Sequence, residues 1–238
     1  MNERSISMSL KTQSFASIGI QKIDISCNIF KIRVVASPSD MIEISWKDTV
    51  MRSLEVKAEK GVLRILDHAA IGIYGTLALI NLKKEAQLLV KLPASYAGKA
   101  VFQAKSESIH ISDISSLATV GISTSTGEII LENTSFRQLD IRGNVGRVSC
   151  YSLDVRESAA ITTKSGAILC NLLGNESDYS LSISTRNRRN NANGIYGSGS
   201  KKVLLNSDHG EIRYSFQNNL AVNRFANRYN RNNPFGEW

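Results

Sequence analysis

The chain has 238 residues, 42% of them hydrophobic, and a formal net charge of +8 at pH 7, which supplies one sizeable core and excludes a charge-dominated disordered chain. Its three cysteines, Cys27, Cys150 and Cys170, exclude an even disulfide framework, and no CxxC or Cys/His spacing points to zinc. The longest apolar run, 69–80, is twelve residues and too short to span a bilayer, so no transmembrane segment is expected. The opening MNERSISMSLKTQSF is polar and lacks the apolar core of a secretory signal, which predicts a chain that stays in the cytoplasm. With only three prolines and no Pro- or Ser-rich spacer, the sequence predicts one continuous body.

From Ile6 to Ile65 the pattern is β. Ile18 and Ile20, Ile23 and Ile25, then Ile32, Val34 and Val35 alternate with polar residues. Ser37-Pro38-Ser39-Asp40 predicts a turn into Met41 to Trp46, and hence a hairpin. Leu54, Val56 and Ala58 match Val62, Leu63 and Ile65 across Glu59-Lys60-Gly61 as a second hairpin. These intervals are irregular, so residues 1–92 are expected to form a cap of β hairpins laid against the repeats that follow. His68 to Lys84 fits a buried crossing, an exposed apolar loop or a short helix. Within it Ile71, Ile73, Tyr74, Leu77 and Leu79, beside Lys83 and Lys84, are candidate interface residues for a second copy of the chain or a membrane surface. Leu88 to Pro93 then reads as a strand ended by proline.

Residues 93–217 carry a repeat. The anchors Phe102, Ile122, Ile141, Ile161, Ile183 and Leu205 are spaced 20, 19, 20, 22 and 22 residues apart. Two residues before each stands Ala100, Val120, Leu139, Ala159, Leu181 or Val203, and five residues after most of them comes a turn residue: Glu107, Gly127, Gly146, Gly166 and Gly210. Alternation then resumes, as at Ile129 and Leu131 or Ile168 and Cys170. A third apolar position follows at Ile114, Thr134 with Phe136, Leu153, Leu173 and Ile195. Short strands repeated at a fixed interval describe the coils of a solenoid, each stacked on the next because no single coil shields its own apolar face. The intervals lack the sixfold period of left-handed hexapeptide helices. The Leu-dense consensus of leucine-rich repeats and the Gly-Gly-x-Gly-x-Asp calcium pattern are also missing. The expected fold is therefore all-β, a parallel β-helix with coils of about twenty residues, right-handed by the chirality of parallel crossovers. Cys150 and Cys170 fall at one position of consecutive coils, their Cα atoms about 5 Å apart. That spacing is within disulfide reach, but they read as two small apolar side chains stacked inside.

Arg186, Arg188, Arg189, Lys201 and Lys202 contribute +5 with no acid between 186 and 202, a candidate patch for an acidic glycan or anionic surface. Residues 218–238, with Arg224, Arg228 and Arg231 among aromatics, read as a C-terminal cap or tail; stacking on nucleic acid is the lesser alternative. Gly194 to Lys201 departs from a phosphate loop because Ser200 stands where Lys must follow Gly199, and it reads as a flexible turn. His68, His110 and His209 stand in different rows and read as surface histidines. No cofactor is expected. The outward acids Asp113, Glu132 and Asp154 are the one arrangement that suits an enzyme, as a carboxylate row acting on polysaccharide.

The order FKIRVVASPSDMIEISW, LEVKAEKGVLRI, LLVKLP, and then coils such as STGEIILENT and SGAILCNLL, resembles the bacterial putative-adhesin family of β-strand-repeat domains of unknown function, related to GIN head domains. The resemblance covers roughly Ile23 to Phe216. It implies a β-solenoid with an envelope or surface role and no catalytic residues. Together these features point to a non-catalytic module that binds or self-associates through its surface.

Overall fold

Period-two alternation governs the computed structural model, which describes residues 10–28, 30–47, 52–69, 86–187 and 193–217. Seventeen strands join in one sheet. In chain order they are β1 (Leu10–Ala16), β2 (Lys22–Cys27), β3 (Lys31–Ser37), β4 (Met41–Lys47), β5 (Arg52–Glu59), β6 (Val62–Ala69), β7 (Gln87–Pro93), β8 (Lys99–Ala104), β9 (Ile109–Ser112), β10 (Thr119–Thr124), β11 (Ile129–Gly143), β12 (Val148–Thr163), β13 (Ile168–Leu173), β14 (Tyr179–Thr185), β15 (Gly194–Tyr196), β16 (Lys201–Ser207) and β17 (Ile212–Gln217). The one helical piece among the described residues is a 3-10 turn at Glu176–Asp178. The chain is all-β.

Parallel pairing organises the sheet into two ladders. The first runs β6, β2, β8, β10, the second half of β11, the second half of β12, β16 and β14. Its anchor row, Ile65, Ile25, Phe102, Ile122, Ile141, Ile161, Leu205 and Ile183, stays in register throughout, and no member is more than 3% exposed. The second ladder runs β7, β3, β9, the first half of β11, the first half of β12, β13 and β17. Ile32, Ile109, Ile129, Val148, Ile168 and Ile212 form its matching inner row. β11 and β12 serve both ladders without a break in strand. Their pairing shifts register between Phe136 and Gln138, beside the buried Phe136 and Val155. Each fully buried aliphatic in these rows contributes about 1.5–3 kcal/mol, and neighbours on both sides are needed to bury it.

The spatial order departs from the sequence order at both ends. At the C-terminal end β16 lies between β12 and β14, so Leu205 sits between Ile161 and Ile183. At the N-terminal end β2 lies between β6 and β8. The strands left outermost, β6 and β14, carry antiparallel partners close to them in the chain, β5 and β15. A strand with its own cover can occupy an edge that would otherwise expose unpaired backbone groups, so the uncovered β2 and β16 take the inner places.

Several expectations change accordingly. Of the N-terminal strands, β2, β3, β6 and β7 continue the two ladders in register, while β1, β4 and β5 pair antiparallel. Residues 32–46 form no hairpin, because β4 pairs antiparallel with β1 and β7 while β3 pairs with β7 and β9. The hairpin of β5 and β6 is present, with Lys60 and Gly61 at φ 50° and 78°, the left-handed pair that a two-residue type I′ loop requires. Ile18 is 93% exposed. The third apolar position is filled by Leu172, not Leu173, and Ile195 is 77% exposed on β15. Residues 194–200 form strand and turn packed closely on the chain: a Cβ on Gly199 would lie 2.0 Å from the carbonyl carbon of Asp178. At this end Tyr179, Phe216, Tyr214 and Tyr196 form a chain of ring contacts with centroids 5.5 to 6.0 Å apart. The tail expected at 218–238 lies outside the described residues.

The glycines five residues beyond the anchors explain how closely the repeats approach. A Cβ on Gly146 would stand 1.8 Å from the Gly127 carbonyl oxygen, and one on Gly166 2.0 Å from that of Gly146. Hydroxyls on the strand ends complete these turns: the Gly127 N–H donates to Thr124 Oγ1 at 2.9 Å, and the Gly210 N–H donates to Ser207 Oγ at 2.8 Å. Gly146→Ala should therefore lower stability by about 2 kcal/mol or more in chemical denaturation. Gly121→Ala, whose Cβ would meet only Val101 Cγ2 at 3.9 Å, should stay within about 0.5 kcal/mol of wild type. Thr134 tests the interior separately. It is 1% exposed and its Oγ1 has no hydrogen-bond partner, so Thr134→Val should stabilise the protein by about 1 kcal/mol.

Candidate ligand-binding face

Residues that alternate with the anchors point outward from the first ladder. On β12 these are Ser158, Ala160 and Thr162; on β11 they are Gln138, Asp140 and Arg142; on β16 they are Lys202, Leu204 and Asn206. β10 and β14 again carry short side chains, Thr119, Gly121 and Ser123 on one and Ser180, Ser182 and Ser184 on the other. Long and short side chains thus alternate strand by strand. β11 and β16 make ridges roughly 10 Å apart with β12 as the floor between them. A groove of about 530 Å³ follows this relief, lined by Thr119, Gln138, Asp140, Ser158, Ala160, Ser180, Ser182, Lys202 and Leu204 among others.

The polar groups of the groove differ in how far they are engaged. Asp140 is paired with Arg142 at 2.9 Å. Gln138 accepts from Thr119 Oγ1 at 3.5 Å and donates to Glu157 at 3.1 Å. Lys202 is exposed and forms no ion pair with the described residues. Register sets Ser158, Lys202 and Ser180 side by side on adjacent strands, with Ala160, Leu204 and Ser182 in the next outward row.

Of the basic residues singled out in the sequence, Lys202 is the one among the described residues that lines this groove. Lys201 places its Nζ 3.1 Å from Asp154 and 5.1 Å above the Tyr179 ring. Arg186 is exposed beyond the far end of β14, where its N–H donates to Asp208 O. That is six residues past Ser180, roughly 20 Å along the strand. Arg188 and Arg189, like Ile71, Ile73, Tyr74, Leu77 and Leu79, lie outside the described residues. Ser158, Ser180 and Ser182 escaped notice in the sequence because they occupy the polar half of each alternation, although their uniform smallness in SAAITT and YSLSIST was legible.

The three outward acids fall in different rows. Glu132 pairs in register with Ser112 and Tyr151, Asp154 pairs with Ser135, and Asp113 accepts a hydrogen bond from Asn133 Nδ2 at 3.2 Å. Asp154 also accepts from Ser135 Oγ at 2.8 Å. The expected carboxylate row is therefore not formed. His110 is 9% exposed and not a surface residue; its Nε2 lies 2.9 Å from Glu132 Oε2. The hydrogen bond from His110, followed by the charges of His110 and Arg33, holds the Glu132 carboxyl below the usual range against an opposing effect of burial. Cys150 and Cys170 are register partners, buried and free, and the contact between them together with burial raises the Cys150 thiol. Among the described residues no group of three or more His, Cys, Asp or Glu could hold a metal ion. None of the described helices is long and apolar enough to cross a membrane.

An all-β chain with repeats paired in register along two parallel ladders is the class that this geometry defines. Within that class the profile of Toastrack DUF4097 matches residues 20–178, and the chain belongs to that family. β14 and β16, which form one side of the groove, lie beyond the matched segment. The crystal structure of a putative cell adhesion protein from Clostridium sporogenes ATCC 15579 is similar at 11% identity, covering 89% of this chain and 100% of that one with a TM-score of 0.49. A putative adhesin from Bacteroides fragilis NCTC 9343 is similar at 13% identity over 88% of this chain and 98% of its own, with a TM-score of 0.44. No curated protein matches the chain significantly.

Because its folded-state value is lowered, the Glu132 carboxylate adds stability that is complete above the ordinary glutamate value of about 4.3 and is lost as pH falls through the lower folded value. Glu132→Gln should cost on the order of 1 kcal/mol at pH 5.5. The gap to wild type should close in denaturation curves taken toward pH 3, and a gap independent of pH would contradict this role.

Proposed function

We propose that the chain is a non-catalytic, adhesin-like interaction module of the β-solenoid type, envelope-associated, that binds or self-assembles through its outward faces. The in-register parallel ladders support coils of about twenty residues, and the chirality of parallel crossovers supports a right-handed winding. Family membership supports the same class of molecule. The observation that carries the reading is the grooved outward face of the first ladder, where ridges and floor are fixed by the same register that builds the core. Such a face repeats its donors and acceptors at strand spacing, about 4.8 Å. An extended ligand can then make many weak contacts at once and gain avidity without deep burial. Hydroxyls, one amide, an acid already paired with arginine and a lysine line it; they make a recognition surface and lack a nucleophile held by a base.

The test uses the whole chain on a broad glycan array, on vesicles of anionic lipid, and in size-exclusion chromatography with light scattering. Retention on one ligand class or a defined oligomer is the expected result. A strict monomer that binds nothing across the panels, or measurable glycan cleavage abolished by Asp154→Ala, would overturn it.

A further inference from the structure

We propose that the groove between β11 and β16 takes an acidic unit of a linear glycan, with the carboxylate or sulfate of that unit seated on Lys202 between the hydroxyls of Ser158 and Ser180. This rests on the reading of the chain as a binding module and says where the ligand lies and what it is.

The register carries the assignment. Lys202 pairs directly with Ser158 on one side and Ser180 on the other, so the lysine is flanked by a serine on each neighbouring strand, about 4.8 Å away. An ammonium brings three donors and each hydroxyl brings one, which suits an oxyanion with several acceptor positions, and the charged bond is the strong one. The other cations nearby are engaged: Arg142 with Asp140 at 2.9 Å, and Lys201 with Asp154 at 3.1 Å. Lys202 is thus the cation in the groove whose charge no described carboxylate offsets. Both neighbours of this lysine are serines, leaving the ammonium open to a ligand from above the sheet.

The remaining lining distinguishes a sugar from other polyanions. Leu204, 40% exposed, lies beside Ala160 and Ser182, and offers an apolar step for the C–H face of a sugar ring next to the anion seat. Gln138 and Asp140 on the facing ridge offer an amide and a carboxylate to ring hydroxyls. A phosphate backbone is disfavoured because nucleic acid binding draws on many cations at once, and among the described residues Lys202 is the single cation lining the groove. A membrane surface is disfavoured as well, because interfacial binding needs a broad apolar face with several basic residues, and among the described residues Leu204 is the one large exposed apolar side chain in the lining. The volume of about 530 Å³ lies inside the range of roughly 300–1,000 Å³ found for small-ligand sites and suits a short stretch of sugar chain.

The full chain would be titrated with alginate oligosaccharides, heparin-derived oligosaccharides, neutral cello-oligosaccharides, phosphatidylglycerol vesicles and single-stranded DNA. Alginate or heparin oligosaccharides should bind at least about tenfold more tightly than the neutral ones, with a log–log salt slope near the value for one displaced counterion. Lys202→Gln should weaken that binding about tenfold or more. Ser158→Leu, which fills the floor, should abolish it, while Arg186→Gln should leave it unchanged. Circular dichroism and thermal melts of each variant separate lost folding from lost binding. Wild-type affinity in a folded Lys202→Gln variant overturns the site but leaves the module reading standing, as does binding of vesicles or DNA in place of oligosaccharide. An oligomer that binds none of the probes also overturns the site alone. A monomeric wild-type chain that binds none of them, nor any glycan on the broad array, removes both.

Discussion

Carbonyl oxygen against glycine Cα, repeated from turn to turn, sets the spacing on which the molecule depends. The Gly127, Gly146, Gly166 and Gly210 positions let successive turns approach to a distance that no side chain permits. That approach holds the strands on either side in even parallel pairing, and even pairing makes like residues fall above like. The inner rows close because of it. An isolated repeat would expose its apolar side chains above and below, so burial here belongs to the stack and not to any strand.

The same register decides the outer surface. Inward positions must be apolar to satisfy the core, but nothing in the core dictates what alternates with them. β11 and β16 carry long side chains outward while β10, β12 and β14 carry serine, threonine, alanine and glycine. The resulting relief is a property of several strands at once. Its rigidity comes from the buried neighbours of each outward residue: Leu139, Ala159 and Val203 are at most 4% exposed directly beneath the groove. A surface relief built this way is fixed in advance by the core beneath it.

The inner rows from Phe102 to Ile161 were legible because one physical rule, burial of like positions, wrote itself into spacing and residue type together. Ladder order at the ends was not, since Ile183 and Leu205 satisfy the same inner row in either order. What distinguishes them is the antiparallel partner β15, a three-residue strand whose Gly194, Ile195 and Tyr196 carry no alternation to notice. The irregular spacing of Ile25 and Ile65 hid their membership of the same row. Ser158 and Ser180 acquire meaning only once Lys202 is set between them, and sequence distance conceals that neighbourhood. His110 misled as well: its separate row suggested a surface histidine, but it is buried beside Glu132.

In the first ladder the outermost parallel strands, β6 and β14, are not those nearest the chain ends, and each has its outer edge taken by an antiparallel strand, β5 or β15. A further strand joining this ladder beyond β14 would have to displace β15, and removal of β16 would open a slot between β12 and β14. Both ends of the first ladder are thus capped by antiparallel strands, an arrangement that hinders another strand from pairing there.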